Sequence, residues 1–288
     1  MIVGHMMYDL ILGAVILAGL SLAVFAAVAC ASRRWALWAC DCVAVVVIVL
    51  LGFYIRDVWD NIELARWLPF SNLIVLGNGF PLAMAVLAGL AWNRVPPPVT
   101  RKIFTPLLLL GASVFAVYFP FRGEVPECLY VWEDGVCRQT THDTCSAASA
   151  ATLLRHHGIP ATEQEMAELC ITRKGTSWLG LFRGMKLKTA GTEWDVEIMS
   201  GSVEDLQRDL SGGAIIFLRL TADVADQNPQ YEANGWIAGT SHAVVLFEIK
   251  SNGMCPMGDP SVGRELLRLS DLKLLYEGRG MRLVRTRQ

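Results

Sequence analysis

Arg138-Gln139-Thr140-Thr141-His142-Asp143-Thr144-Cys145-Ser146-Ala147-Ala148-Ser149-Ala150-Ala151-Thr152-Leu153-Leu154 decides how the second half of the chain is read. A polar segment runs into a cysteine, and from there on the residues are small helix formers. Asp143 or Thr144 is placed to cap a helix beginning at Cys145. Gly158 and Pro160 stop that helix. Ala147, Ala151 and Leu154 share one face at helical spacing, and the alanines let the helix lie close to a neighbour. A cysteine heading a helix sits among unpaired backbone N–H groups at the positive end of the helix dipole. That setting favours the thiolate and suits a nucleophile. The bland alternative for any one cysteine is a buried structural thiol.

Downstream, Thr162 to Glu165 reads as a capping box opening a second short helix through Leu169. Ser177 opens a third, with Leu181, Phe182 and Met185 on one side. Trp194, Val196 and Ile198 alternate with Asp195 and Glu197, the pattern of a half-buried strand. A short amphipathic helix over 202–210 and an apolar strand over 214–220 follow. Residues 221–240 read as a polar loop with Pro229 and Gly235. The run 242–249 is rich in strand formers. Asn252-Gly253 turns the chain into a strand ending near Asp259-Pro260, and 264–269 and 281–284 read as further strands. Helices first and strands later imply an α+β domain with an antiparallel sheet.

Upstream the chain changes character. Its 288 residues carry a net charge of −2 and a positive mean hydropathy, and nearly all the long apolar runs lie in residues 10–119. A helix crossing a bilayer needs about 20 mostly apolar residues. Four segments qualify, at 10–31, 35–55, 73–92 and 103–119. Asp9, with no Lys or Arg, precedes the first, unlike the basic start of a cleaved signal peptide. Ala27-Val28-Ala29-Cys30 faintly suggests a lipoprotein box but lacks the same basic region. Pro106 is tolerable near the start of the fourth segment. Residues 1–119 are therefore expected to form an all-α transmembrane bundle of four helices. Residues 120–138 read as a linker broken by Gly123, Pro126 and Gly135, and 139–288 as a globular domain.

Arg33 and Arg34 lie between the first two segments, and Arg94, Arg101 and Lys102 between the last two. The charge bias makes those loops cytoplasmic and puts both termini and the globular domain outside the cytoplasm. Trp35, Trp38, Trp59, Trp67 and Trp92 fall near helix ends, as in an interfacial aromatic belt. Asp41, between Cys40 and Cys42, is an ionisable residue within a span, either a functional candidate or solvated at the interface. Residues 57–70 read as a solvated loop or as a short helix lying on the membrane face.

Gln139, with Cys145 six residues later heading an alanine-rich helix, resembles the bacteriocin-processing, double-glycine-type cysteine peptidases of the papain-like superfamily. Gly175-Thr176-Ser177-Trp178-Leu179-Gly180-Leu181 is similar to the segment opening that family's third helix. Ser241-His242-Ala243-Val244-Val245-Leu246 is similar to its histidine strand, and Gly258-Asp259-Pro260-Ser261-Val262-Gly263 to its Asp-Pro turn. Tyr276-Glu277-Gly278 fits where the family often has Trp-x-Gly. The resemblance spans about residues 138–285. It implies a papain-like domain in which Cys145 is the nucleophile and His242 takes its proton and passes it to the leaving amine. Asp259 would orient the imidazole, and Gln139 would supply an oxyanion-hole amide beside the backbone N–H of Cys145.

With the bundle, this reads as an integral protein of the bacterial inner (cell) membrane. It would act on a peptide or protein substrate and need no cofactor. Its partners would be the lipid bilayer and a membrane-complex subunit. The chain also departs from the family. Ser146 and Ala243 stand where Gly or Tyr is usual, and the 221–240 loop looks long enough to line the substrate cleft. These 288 residues hold no ATP-binding domain, and charge bias is expected to put the globular domain opposite to the cytoplasmic side used by transporter-linked members. Two other readings use the same residues. One is a catalytically inactive peptide-binding or assembly subunit of a membrane complex. The other is an acyl transferase in which an amine resolves the thioester.

No basic stripe points to nucleic acid, and there is no phosphate-binding glycine loop. His142 reads as a surface turn residue, and His156 and His157 as cations suited to a helix C-terminus. The eight cysteines form no CxxC pair, so no metal site is expected. Cys128 and Cys137 flank the stretch before Gln139 and are candidates for a disulfide if the domain is extracytoplasmic, with Cys170 and Cys255 a weaker pair.

Overall fold

The computed structural model describes residues 2–94 and 99–286. The chain divides into two compact units, Met1–Leu64 with Leu68–Arg122, and Ala65–Trp67 with Gly123–Gln288.

The N-terminal half carries α1 (Ile2–Ala31), α2 (Leu37–Phe53), α3 (Leu64–Trp67), α4 (Leu73–Leu76), α5 (Phe80–Arg94) and α6 (Val99–Tyr118). Among the described residues, four stretches are long and apolar enough to cross a membrane: Tyr8–Arg34, Leu37–Val58, Leu73–Arg94 and Lys102–Phe121. The last is part of a helix that begins before the expected segment, so Pro106 lies in its interior rather than near its start. The third stretch is broken at Gly77-Asn78-Gly79. Asn78 mends the break. Its Oδ1 accepts the N–H of Phe80 at 3.1 Å, and its Nδ2 donates to the carbonyl of Ala116 at 3.2 Å. The Tyr54 hydroxyl donates to the carbonyl of Gly77 at 2.6 Å. Backbone groups freed inside an apolar medium must be satisfied in this way.

Helix α5 is the centre of this unit, with α1, α2 and α6 packed on it. At Gly89 a Cβ would come within 2.9 Å of Val28, so glycine permits the close approach of α5 to α1. The faces of α1, α2 and α6 turned away from it expose Val15, Leu20, Val46, Ile48, Leu108 and Phe115. Asp41 pairs with Arg94 at the end of α5 and clamps one helix to another. Within 57–70, Asp57 and Val58 end a π-helical turn begun at Tyr54 and Leu64–Trp67 form the single turn of α3, with Ile62 buried and Trp67 exposed.

The second unit opens with a hairpin in the stretch expected to be a linker. Strands β1 (Trp132–Glu133) and β2 (Val136–Cys137) are joined by Asp134 and Gly135, both at positive φ, as a two-residue hairpin turn requires. Next come α7 (Cys145–His156), α8 (Glu163–Leu169) and α9 (Trp178–Thr189). Thr162 caps α8 and Ser177 caps α9, each accepting a backbone N–H three residues on. Glu165 binds Lys188 on α9 at 2.5 Å.

The strands β3 (Trp194–Ser200), β4 (Ala214–Arg219), β5 (Ser241–Leu246), β6 (Met254–Asp259), β7 (Gly263–Arg268) and β8 (Tyr276–Arg285) form one sheet. Its order is β3-β8-β4-β5-β6-β7, and every pairing is antiparallel. Helix α10 (Val203–Asp209) links β3 to β4. Residues 221–240 are not an open polar loop. They contain α11 (Ala222–Gln227) and α12 (Gln230–Ala233), whose Ala225 and Tyr231 are buried in the sheet's core with Trp236. Helix α13 (Leu269–Leu275) follows β7, where Leu272 and Leu275 are buried.

Candidate active site

Helix α7 is buried from Cys145 through Leu154, and its alanines allow that depth. Neither Asp143 nor Thr144 caps it through a side chain. Instead, His142–Thr144 form a single 3-10 turn. Thr144 closes it, accepting the Thr141 N–H at 3.1 Å and donating to the Thr141 carbonyl at 2.9 Å. His142 is exposed on this turn.

Ser149 lies one turn beyond Cys145 on the same face. Its hydroxyl donates to the carbonyl of Ala243 on β5 at 2.9 Å, which sets the register of the helix against the strand. Thr152 continues the polar stripe and accepts the N–H of Cys137 at 2.9 Å, docking the hairpin. The thiol at the head of α7 is thereby brought beside His242, the residue before Ala243, close enough for each group to shift the ionisation of the other.

Strand pairing places the third group. Val245 faces Gly258 and Leu246 faces Met257, so Asp259 falls opposite Val244 and diagonal to His242 on the same side of the sheet. His242 Nε2 meets Asp259 Oδ1 at 2.8 Å. With Nε2 on the carboxylate, Nδ1 is left for the thiol. Asp259 is fully buried. It also accepts the Ser261 N–H on Oδ1 at 2.7 Å and the Trp236 indole N–H on Oδ2 at 2.6 Å. Trp236 lies within 221–240, a stretch whose composition reads as a polar loop.

The electrostatics follow from this bonding. Burial opposes the charged form of His242, but Asp259 and Cys145 outweigh it and raise its pKa from 6.5 to about 10. Burial likewise pushes the Cys145 thiol up. His242, the backbone of Ala243 and the Ser146 side chain more than offset that, and the net shift is downward. The arrangement therefore favours a thiolate–imidazolium pair, the form in which a cysteine attacks an electrophile.

Gln139 joins the cluster through its backbone, donating to the carbonyl of Pro260 at 2.8 Å. Its side-chain Oε1 is buried and has no hydrogen-bond partner among the described residues. The next residue, Thr140, is pinned by the buried carboxylate of Glu163, which accepts its N–H and its hydroxyl at 2.7 Å each.

The disulfide considered between Cys128 and Cys137 is not formed, and both are free thiols. Burial and then Glu163 push each thiol up to about 12. Cys170 and Cys255 are also free, with burial raising both. Among the described residues, no group of three or more His, Cys, Asp or Glu is placed to hold a metal ion.

No family model and no curated protein matches the chain. Among solved structures it is similar to the peptidase domain of Streptococcus ComA, a bi-functional ABC transporter involved in a quorum sensing pathway. The identity is 18%, over 52% of this chain and 98% of that one, with a TM-score of 0.41. It is also similar to a double glycine motif protease from an AMS/PCAT transporter in complex with the leader peptide, at 17% identity, 57% and 96% coverage and a TM-score of 0.41. The peptidase domain of Streptococcus mutans ComA gives 19% identity, 52% and 98% coverage and a TM-score of 0.36.

Proposed function

We propose that the chain is a membrane-anchored cysteine peptidase acting on a peptide or protein. The observation that carries this reading is one buried imidazole, bonded through Nε2 to a buried carboxylate and set beside the thiol at the head of a helix. Cys145 adds to the scissile carbonyl as a thiolate. His242, as imidazolium, protonates the leaving amine, then removes a proton from the water that resolves the thioester. Asp259 keeps the ring oriented and its positive form stabilised. Gln139 and the backbone N–H of Cys145 receive the developing oxyanion. In this account residues 1–119 are a transmembrane anchor and 139–288 the papain-like catalytic domain, on which the β1–β2 hairpin of the intervening stretch is docked. That domain lies on the extracytoplasmic side of a bacterial inner membrane.

The test is cleavage of a peptide library by the purified full chain in detergent, with new termini read by mass spectrometry. Cys145→Ala should abolish cleavage and leave the circular dichroism spectrum unchanged. Cleavage that persists in Cys145→Ala contradicts the reading. Reporter fusions at Arg34 and at the C-terminus test the side of the membrane, with Arg34 expected inside and the C-terminus outside.

A further inference from the structure

We propose that Arg138 is a positioning residue that locks the Asp259 turn to the segment carrying Gln139, an inference that rests on the peptidase reading. The guanidinium lies against the outside of the turn. Its Nε donates to the carbonyl of Pro260 at 3.3 Å, its Nη2 to the carbonyl of Ser261 and its Nη1 to the carboxylate of Glu133. The following residue adds a main-chain strut, because the Gln139 N–H also donates to the Pro260 carbonyl.

The consequence runs through one peptide unit. The Pro260–Ser261 peptide has its carbonyl on Arg138 and Gln139 and its N–H on Asp259 Oδ1, the oxygen that meets His242. A peptide unit is planar, so fixing the direction of its C=O fixes the direction of its N–H. Arg138 thus aims the donor that aims the carboxylate. Gly263 closes the turn at φ +102°, and a Cβ there would stand 3.4 Å from Glu133 and 3.6 Å from Arg138, so the ion pair packs directly on the turn. Glu133 balances the charge of Arg138, which leaves geometry rather than field as the means of action. Lysine in place of Arg138 would keep the charge but lose the planar fork that reaches two carbonyls and a carboxylate together.

The experiment uses the full chain in detergent and the rate of Cys145 alkylation by iodoacetamide between pH 5 and 9, mapped by mass spectrometry. This readout follows the Cys145–His242–Asp259 alignment and not fold stability. Arg138→Gln should move the acid limb up by about one pH unit, slowing alkylation about tenfold at any pH on that limb. Arg138→Lys should recover only part of the loss. Should Arg138→Gln fail to fold, Arg138→Lys carries the same test with a smaller shift in the same direction. A folded variant whose profile superimposes on that of the unsubstituted protein overturns the inference. Full recovery by Arg138→Lys alongside a shifted Arg138→Gln assigns the effect to charge and also overturns it. Ordinary thiol reactivity of Cys145 in the unsubstituted protein would overturn the peptidase reading, and this inference with it.

Discussion

The indole N–H of Trp236 donates to Asp259 Oδ2 at 2.6 Å while its ring stands 5.0 Å from that of His242. One side chain therefore completes the bonding of the carboxylate and covers the His242–Asp259 pair. Trp236 is itself stacked on Tyr231 of α12, with 5.1 Å between centroids. Shielding from water matters because a charge-assisted bond strengthens as the local dielectric falls.

Trp236→Phe keeps a ring in place and removes only the donor. Loss of a hydrogen bond to a charged group predicts about 1.5–3 kcal/mol of lost stability. Trp236→Ala, which also opens a cavity, should cost about 3–5 kcal/mol. Denaturant unfolding followed by near-ultraviolet circular dichroism measures both. A Trp236→Phe protein as stable as the unsubstituted one would show that the indole bond contributes nothing.

The coupled pair also predicts a pH dependence of stability. His242 has its folded pKa raised from 6.5 to about 10, so its contribution is fully present below 6.5 and is lost as pH rises through about 10. Cys145 has its folded pKa lowered from 9.0, so its contribution is present above 9.0 and is lost as pH falls through the lowered value. Below 9.0, and above both 6.5 and the lowered Cys145 value, the folded pair and the unfolded chain each hold one proton, and the contribution is flat. On either side it should decline by up to about 1.4 kcal/mol per pH unit. Unfolding across pH of the unsubstituted protein and of a Cys145→Ala, His242→Ala double variant isolates this shape. A difference curve with no flat stretch below 9.0 would contradict the ion pair.

Asp259→Ala should be the most damaging single change in the site. It leaves a buried imidazole without its counter-charge and strands two N–H donors, from Ser261 and Trp236. Removing one partner of a buried pair predicts a loss of about 3–5 kcal/mol. The pKa of His242 should fall with it, since burial then acts with much less opposition. Thermal unfolding and the two-dimensional NMR titration of the imidazole are the measurements. An unchanged His242 titration would rule Asp259 out as its partner.

Glu163 offers a test on the other side of Gln139. After burial, its carboxylate is the main influence that pushes Cys128 up to about 12. Glu163→Gln removes that charge, so the pKa of Cys128 should fall while staying above that of a free thiol, because burial remains. Alkylation of Cys128 above pH 8 should accelerate. No change in its rate would contradict the proximity of these groups.

Part of this was legible in the sequence, and the limits have physical causes. The four apolar runs are visible because a bilayer imposes length and composition together, and Cys145 is visible because the residue type changes abruptly where α7 begins. His242 lies in a run of strand formers. The register that sets Asp259 diagonal to His242 was not legible, since it depends on strand pairing between β5 and β6. Asp41 looked like a candidate functional residue because its partner, Arg94, is 53 positions away and on another helix. Trp236 was passed over with the polar residues around it, although Val224, Ala225 and Tyr231 were apolar cues for a packed segment. Gly135 alone reads as a chain breaker, whereas Asp134-Gly135 taken as a pair is a hairpin signal. The stop of β7 and the start of α13 were blurred by the leucines that serve both.

The central claim is that Cys145 is a thiolate held by His242. Intact protein labelled with an iodoacetamide probe from pH 5 to 9, with site mapping, tests it most directly. The account predicts selective labelling of Cys145 well below pH 8, lost in His242→Ala. Labelling of Cys145 at the rate of an ordinary thiol, unaffected by His242→Ala, would contradict it.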